Sequence, residues 1–491
     1  MKKKIGAILA AAAVACTMTV GMAFSGCGMA KIPDFDMPEG GYDGSRVTIT
    51  FANTTGQDKA RIIEEAIAEF NKLYPNITVD FDNSIKDYDA LCNDIATKLT
   101  GGQQPNVAFC YTDHVARYNE YNAILPINDF LSNGAFKDMT VKQVKLDEYG
   151  EQVKDDNGDL VYEEVSLGLT DTQEGDYVEE FLNEGKQAFG SGKLYTLPFA
   201  KSTEVMYYNK TFFDDNNIAV PTTWDEMKDT CITIQGLIGT NNGKYPLGYD
   251  SDANLFITLC QQYGSPYTSA TDSKHFLFNN DTNKKFVKDM YDWYKAGYLI
   301  TQTTNGANEQ YTSYLFTEQN CMMSIGSTGG SSYQDPGVND ENAVFDVGVA
   351  RIPQVDPSNP KSILQGPSVC IFKKSNPQEV LASWLLIKYL STDKVFQARY
   401  SEISGYMPVT KSAYESDLYK EFLDEDNLMA RTAKTCKEMV DAKAFYVSDA
   451  FVGSSKARTE VKALMKSVFY DVNIDKAFAD AIKACNTYIG K

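Results

Sequence analysis

The stretch that decides the fold is residues 46–82, "RVTITFANTTGQDKARIIEEAIAEFNKLYPNITVDFD". Val47, Ile49 and Phe51 alternate as in a half-buried strand. A polar loop follows, and then Ile62, Ile63, Ala66, Ile67, Phe70, Leu73 and Tyr74 recur at helical spacing. Pro75-Asn76 stops that helix, and Ile77, Val79 and Phe81 open a second strand. This is one βαβ unit. Beyond it, a helix from Tyr88 to Leu99 carries Leu91, Cys92, Ile95 and Leu99 on one face, and "GGQQP" leads into a strand "NVAFCY". Strands alternating with helices predict an α/β layer with parallel strands. In such sheets ligands bind beyond the carboxyl ends of the strands, where the loops "NTTG" and "YTDH" fall.

The second half keeps the same pattern. "TNKKFVKDMYDWYKAGYL" and "NPQEVLASWLLIKYLS" read as helices, the latter opened by Asn-Pro, and "KARTEVKALMKSVF" as another. "NCMMSIG", "AVFDVGVARIP" and "SVCIF" read as strands. Residues 131–190 are less regular. Within them "VKLDEYGEQVKDDNGDLVYEEV" predicts a hairpin turning at Asn157-Gly158; its acidic run lacks the downstream glutamate of a calcium loop. No internal repeat is evident.

The chain begins Met1-Lys2-Lys3-Lys4 and then runs from Ile5 to Phe24 without a charge, rich in Ala, Gly and Thr. That is the layout of a secretory signal, favoured over a transmembrane anchor of similar length. The sequence "AFSGC" that follows resembles a bacterial lipobox, with Phe24 where Leu is usual. Cleavage before Cys27 and acylation of its sulfur are therefore expected, with residues 1–26 removed and 27–45, "CGMAKIPDFDMPEGGYDGS", serving as a flexible tether.

Without residues 1–26 the chain has 491 − 26 = 465 residues and, with three lysines gone, a formal charge of −23 instead of −20. Such a length predicts two lobes. The acidic balance excludes nucleic acid as a partner, because phosphate backbones need clustered Lys and Arg. Eight cysteines remain beyond Cys16 and Cys27; none has metal or redox spacing, and several, such as Cys110, Cys260 and Cys370, lie in apolar runs, which predicts buried thiols rather than metal ligands, with disulfide pairing left open.

Chemistry is hard to find. The two histidines, His114 and His275, belong to no H-E-x-x-H pair, no G-x-S-x-G elbow is present, and "FGSGKL" lacks the P-loop pattern. No catalytic residue, metal or cofactor is expected. A secreted glycoside hydrolase, needing two carboxylates across a cleft, is the rival class.

One combination is specific. "LPFAKSTEVMYYNKTFF" from residue 197, followed by "VPTTWDEM", resembles the extracellular solute-binding proteins of ABC importers, in the group that captures sugars and glycerol-3-phosphate. "EFNKLYPNITV", "LPINDFL", "FTEQNCMMSIGSTGG" and "GYMPVTKSAY" agree in the same order, from about residue 46 to the end apart from 131–190. The resemblance implies a two-lobed α/β fold of periplasmic-binding-protein type, with a hinge between discontinuous domains: residues 46–200 with 354–404 in one lobe, 201–353 with 405–491 in the other. The chain would cross near 198–201, 350–353 and 404–408. Carried over by similarity, the ligand would be met by Asn53, Thr55 and Gly56 in the first loop, Tyr88 and Asp89 at the next helix, and Tyr111, Asp113 and His114 after the third strand. Ser202, Ser327, Thr328, Gly366 and Tyr406 complete the set. The implied protein is a monomer anchored by lipid to the outer face of the cell membrane, handing a small carbohydrate to permease subunits. "STGGSS" replaces the Trp that many sugar binders carry after "MMSIG", as in glycerol-3-phosphate binders. The only arginine in the region where those binders clamp phosphate is Arg458, expected to face along its helix, so a mono- or oligosaccharide is favoured over a phosphorylated glycerol.

Overall fold

The computed structural model describes residues 31–187, 189–338 and 345–490. The expected signal and the expected acylation site at Cys27 lie outside the described residues. Two five-stranded sheets organise the chain. In the first, Val47–Ala52 lies between Ile77–Asp82 and Val107–Cys110, all parallel, as the opening βαβ unit predicts. Ser368–Ile371 then adds antiparallel to Val107–Cys110, and Leu197–Pro198 closes the far edge. In the second sheet, Glu204–Asn209 pairs antiparallel with both Val347–Arg351 and Cys321–Ser327, while Tyr245–Tyr249 and Leu299–Thr301 continue it in parallel.

Each sheet has its own core. Ile49, Phe51, Phe70, Ile95, Phe109 and Trp384 centre the first; Met206, Ile234, Phe256, Met323, Leu464 and Phe478 centre the second. Burial of such side chains, about 1.5–3 kcal/mol apiece, holds each lobe together by itself. The chain passes from one sheet to the other between Pro198 and Glu204 and returns between Arg351 and Ser368. The expected division puts all of 405–491 in the second lobe; instead residues 405–490 divide between the lobes, because their apolar faces find different cores. Met407, Val409, Tyr414 and Phe422 pack in the first core, whereas Ala457, Val461, Leu464 and Phe478 pack in the second.

Local signals account for many boundaries. Asn376 caps Pro377–Thr392 by accepting from the Gln378 amide, and Thr223 with Glu226 forms a capping box on Trp224–Ile238. Gly405, at φ +71, ends Lys394–Ser404; a Cβ there would lie 2.1 Å from the Thr328 carbonyl oxygen. The expected hairpin is present and is doubled. Thr140–Val144 pairs with Tyr162–Ser166, and the ribbon folds back twice, at Asp147–Glu151 and at Asp155–Asp159, where Gly158 takes φ +87. All eight cysteines among the described residues are free and buried.

The tether departs from expectation. Residues 31–45 have no regular secondary structure, yet they lie against the first lobe: Ile32 and Tyr42 are buried in its core, and Phe35 packs on Phe130 with ring centroids 6.3 Å apart. Among the described residues no helix is long and apolar enough to cross a membrane.

Candidate functional site

The carboxyl ends of the first-lobe strands face the second lobe, and a cavity of about 150 Å³ lies between them. Tyr111 and Asp113 line it from the first lobe, at the start of helix Thr112–Asn119. From the second lobe come Ile257, Tyr267, Ser454 and Arg458, and from the connecting segments Leu364 and Gln365.

The other expected residues divide into three groups. Tyr88, Asp89 and His114 cluster behind Tyr111. The Tyr88 and Tyr111 rings lie 4.6 Å apart, and His114 stands edge-on to Tyr111 at 5.4 Å. His114 Nε2 is 3.6 Å from Asp89 Oδ1 and 3.8 Å from Asp113 Oδ1. Burial disfavours charge on His114, but Asp113 and Asp89 outweigh it and raise the imidazole above its ordinary range; His114 in turn lowers Asp89.

Asn53 and Thr55 form the second group and are turned inward. Asn53 is fully buried: its amide donates to the Phe51 and Asp82 carbonyls while its Oδ1 accepts from the Thr55 amide and hydroxyl. Both side chains are spent on holding their own loop. Gly56 precedes helix Gln57–Leu73, and a Cβ there would meet open space.

The third group stitches the crossing segments. Ser202 and Gln365 exchange backbone hydrogen bonds, and Gly366 at φ +90 lets the chains pass, since a Cβ would sit 2.5 Å from the Ala200 carbonyl oxygen. Thr328 Oγ1 accepts from the Thr203 amide, and Ser327 caps the turn that follows. Tyr406 lies against that turn: a Cβ on Gly329 would approach its ring to 2.9 Å, and Lys59 Nζ sits 5.0 Å from the ring centroid while donating to the Gly329 carbonyl at 3.0 Å.

Several lining residues escaped the sequence reading. Arg458 does not face along its helix: its guanidinium reaches the cavity and donates to Asn254 Oδ1. The Asn254 amide donates to Glu204 Oε1 at 2.6 Å, and the Tyr249 hydroxyl to Glu204 Oε2 at 2.7 Å. Burial pushes the Glu204 carboxyl up to about 7, with those two hydrogen bonds working against the rise. The spacing was there to be read, because Arg458 precedes Val461 and Met465 by three and seven residues, on their inward stripe.

Glu184, in the stretch 131–190, also lines the cavity; it pairs with the fully buried Lys201, and Ser368 Oγ binds both, at 2.8 Å from Lys201 Nζ and 3.2 Å from Glu184 Oε2. The lysine in "PFAKST" was the signal, since a charge buried in a crossing strand needs a counter-charge. Tyr267, 5% exposed, has a hydroxyl with no hydrogen-bond partner among the described residues. No group of three or more His, Cys, Asp and Glu side chains among the described residues is arranged to hold a metal ion.

A family model for bacterial extracellular solute-binding proteins matches residues 65–430. A protein of Brucella abortus strain 2308, named as a binding protein, is 26% identical over 254 residues, covering 51% of this chain and 58% of that one. The sn-glycerol-3-phosphate-binding periplasmic protein UgpB of Rhizobium meliloti strain 1021 is 24% identical over 249 residues, 48% of this chain and 54% of that protein. The match thus spans little more than half the length of these relatives. Among solved structures, UgpB from Mycobacterium tuberculosis in complex with glycerophosphocholine superposes with a TM-score of 0.70 at 19% identity, covering 91% of this chain and 99% of that one. The sugar-binding protein MalE from Xanthomonas citri gives 0.66 at 17%, covering 90% and 98%. At such identities the likeness carries the fold, the two-lobed periplasmic-binding type expected from the sequence. Three quarters of the chain falls within the family match, and the protein belongs to the bacterial extracellular solute-binding proteins.

Proposed function

We propose that this protein is the lipid-anchored capture subunit of an ABC importer, held at the outer membrane face through Cys27 and closing its two lobes on a glycerol phosphate or glycerophosphodiester. The observation that carries the ligand choice is the Arg458 guanidinium at the cavity wall, fixed in place by Asn254. Guanidinium groups bind phosphate through paired, charge-assisted hydrogen bonds. Helix Ser454–Phe469 adds to this, because its N-terminal residue Ser454 borders the same cavity and brings the positive end of the helix dipole near it. The UgpB relatives point the same way. The cavity, about 150 Å³, is also small for an oligosaccharide.

A neutral saccharide is the second reading. It is favoured by the Tyr111 and Tyr267 rings and by the Asp113, Glu184 and Asp449 carboxylates on the same walls, which suit hydroxyl groups. Calorimetric titration with glycerol-3-phosphate, glycerophosphocholine, maltose and glucose separates the two. Binding of the phosphates alone supports the first, and binding of the sugars alone supports the second. In either case the ligand is recovered unchanged, and a hydrolysed product in the same mixture would establish the hydrolase class instead. For the anchor, Cys27→Ala should leave the precursor unprocessed or free in the medium; normal processing with full membrane retention would refute acylation there.

A further inference from the structure

We infer that the pole of the first lobe opposite the cleft is the surface laid against the lipid bilayer, and that residues 31–45 are the strap that turns it there; this rests on acylation of Cys27 as proposed above. The strap is fixed by several kinds of contact. Asp34 pairs with Lys373 at 2.9 Å and accepts from Asn122 at 3.0 Å, while Ile32 and Tyr42 are buried in the lobe's core. Gln378 receives the Asp43 amide at 3.1 Å and donates to the Gly41 carbonyl at 3.2 Å, and Asn76 holds the Gly44 carbonyl at 2.7 Å.

These partners share one location. Asn76 immediately precedes strand Ile77–Asp82. Lys373 follows Phe372, whose amide bonds the Asn106 carbonyl just before strand Val107–Cys110. The strap therefore runs along the entry ends of the parallel strands, whereas Asn53 and Tyr111 lie at their exit ends beside the cleft. Six residues of strand separate the two ends, about 20 Å.

Chain length then sets the geometry. Four residue steps join Cys27 to Lys31, a reach of at most about 14 Å. With the strap docked, an acyl chain on Cys27 holds this pole at the membrane surface and the cleft points away from it. With the strap released as far as Arg46, nineteen steps give a reach of about 65 Å and the body turns freely. Charge does not hold the pole at the bilayer: in the same surface hollow Lys31 is offset by Asp36 and Glu120, and Asp34 is paired with Lys373, so the acyl tether does.

The test uses the full-length acylated protein on phosphatidylcholine vesicles containing a nitroxide-headgroup lipid. A fluorophore is placed by Glu120→Cys at the pole or by Ser84→Cys beyond the exit end of strand Ile77–Asp82. Strong quenching at 120 with little at 84 is expected. In the double variant Ile32→Ser, Phe35→Ser, the difference between the two positions should collapse. Equal or reversed quenching in the otherwise unaltered chain overturns the orientation while leaving the anchor intact, and a difference that survives the double variant overturns the strap as its cause. Failure of the acyl-competent chain to float with vesicles any better than Cys27→Ala overturns the anchor itself, and this inference with it.

Discussion

At the scale of single residues, the site turns on charges that the fold has buried or aimed. Arg458→Ala should weaken binding of glycerol-3-phosphate or glycerophosphocholine by about 10- to 150-fold, the loss of one charge-assisted hydrogen bond or a pair of them, while Arg458→Lys recovers only part; titration calorimetry reads both. Lys201→Met leaves Glu184 uncompensated beside the cavity and should destabilise the chain by about 3–5 kcal/mol in urea unfolding, with Glu184→Gln added to Lys201→Met recovering much of it. Glu204 gives a pH dependence whose sign is fixed. Its folded value, about 7, lies above the unfolded value, so its contribution is complete below about 4.3 and is lost as pH rises through about 7. Thermal unfolding across that window should show stability falling with pH by on the order of 3 kcal/mol from this group, and Glu204→Gln should flatten the slope. His114 acts in the same direction at higher pH: its raised imidazole stabilises the fold below about 6.5, and that contribution disappears as pH rises through the folded value. Sequence reading pointed to Tyr111 and Asp113, which line the cavity, through the family resemblance and because "YTDH" directly follows a strand. It missed Tyr267 because nothing in "GSPYTSA" sets where the loop lies.

At the scale of elements, periodicity was a good guide wherever one face of a helix or strand is buried. The Gln57–Leu73 helix buries Ile62, Ile63, Ala66, Ile67 and Phe70 of the residues its spacing picks out; Leu73 is half-buried and Tyr74 is buried just past the helix end. The strap was misjudged because Pro, Gly and Asp signal the absence of regular structure, and absence of regular structure is compatible with firm docking. The crossing segments are the elements with least tolerance. Gly366→Ala forces a Cβ into the Ala200 carbonyl at a positive φ, and it should both lower the melting temperature and reduce ligand affinity, because the same contact aligns Gln365 and Ser202 across the hinge. Gly158→Ala, also at positive φ but with nothing near its Cβ, should cost only the backbone strain, about 1 kcal/mol, with affinity unchanged. A paired measurement of melting temperature and affinity on the two variants separates hinge from hairpin.

At the scale of the whole molecule, each sheet has its own core, and a ligand in the shared cavity touches both lobes at once. A ligand that binds only the closed native form should stabilise it by mass action, by about 2.7 kcal/mol at one hundred times its Kd, and so raise the melting temperature. Arg458→Ala should cut that stabilisation for phosphates at the same concentration to about 1.4 kcal/mol or less, while its ligand-free melting temperature stays near the parent's.

The α/β class, the strand–helix order, the thiol burial and the family were legible before folding, because each depends on local periodicity, caps and short motifs read within tens of residues, and chain length was enough for two lobes. Long-range packing alone set that Arg458 reaches Asn254, that Glu184 from an irregular stretch pairs with Lys201, that Asn53 and Thr55 turn inward, and that residues 31–45 dock. Those outcomes depend on contacts between residues far apart in the chain, Arg458 with Asn254 and Asp34 with Lys373 among them, and no local pattern encodes which distant partner closes a given polar group.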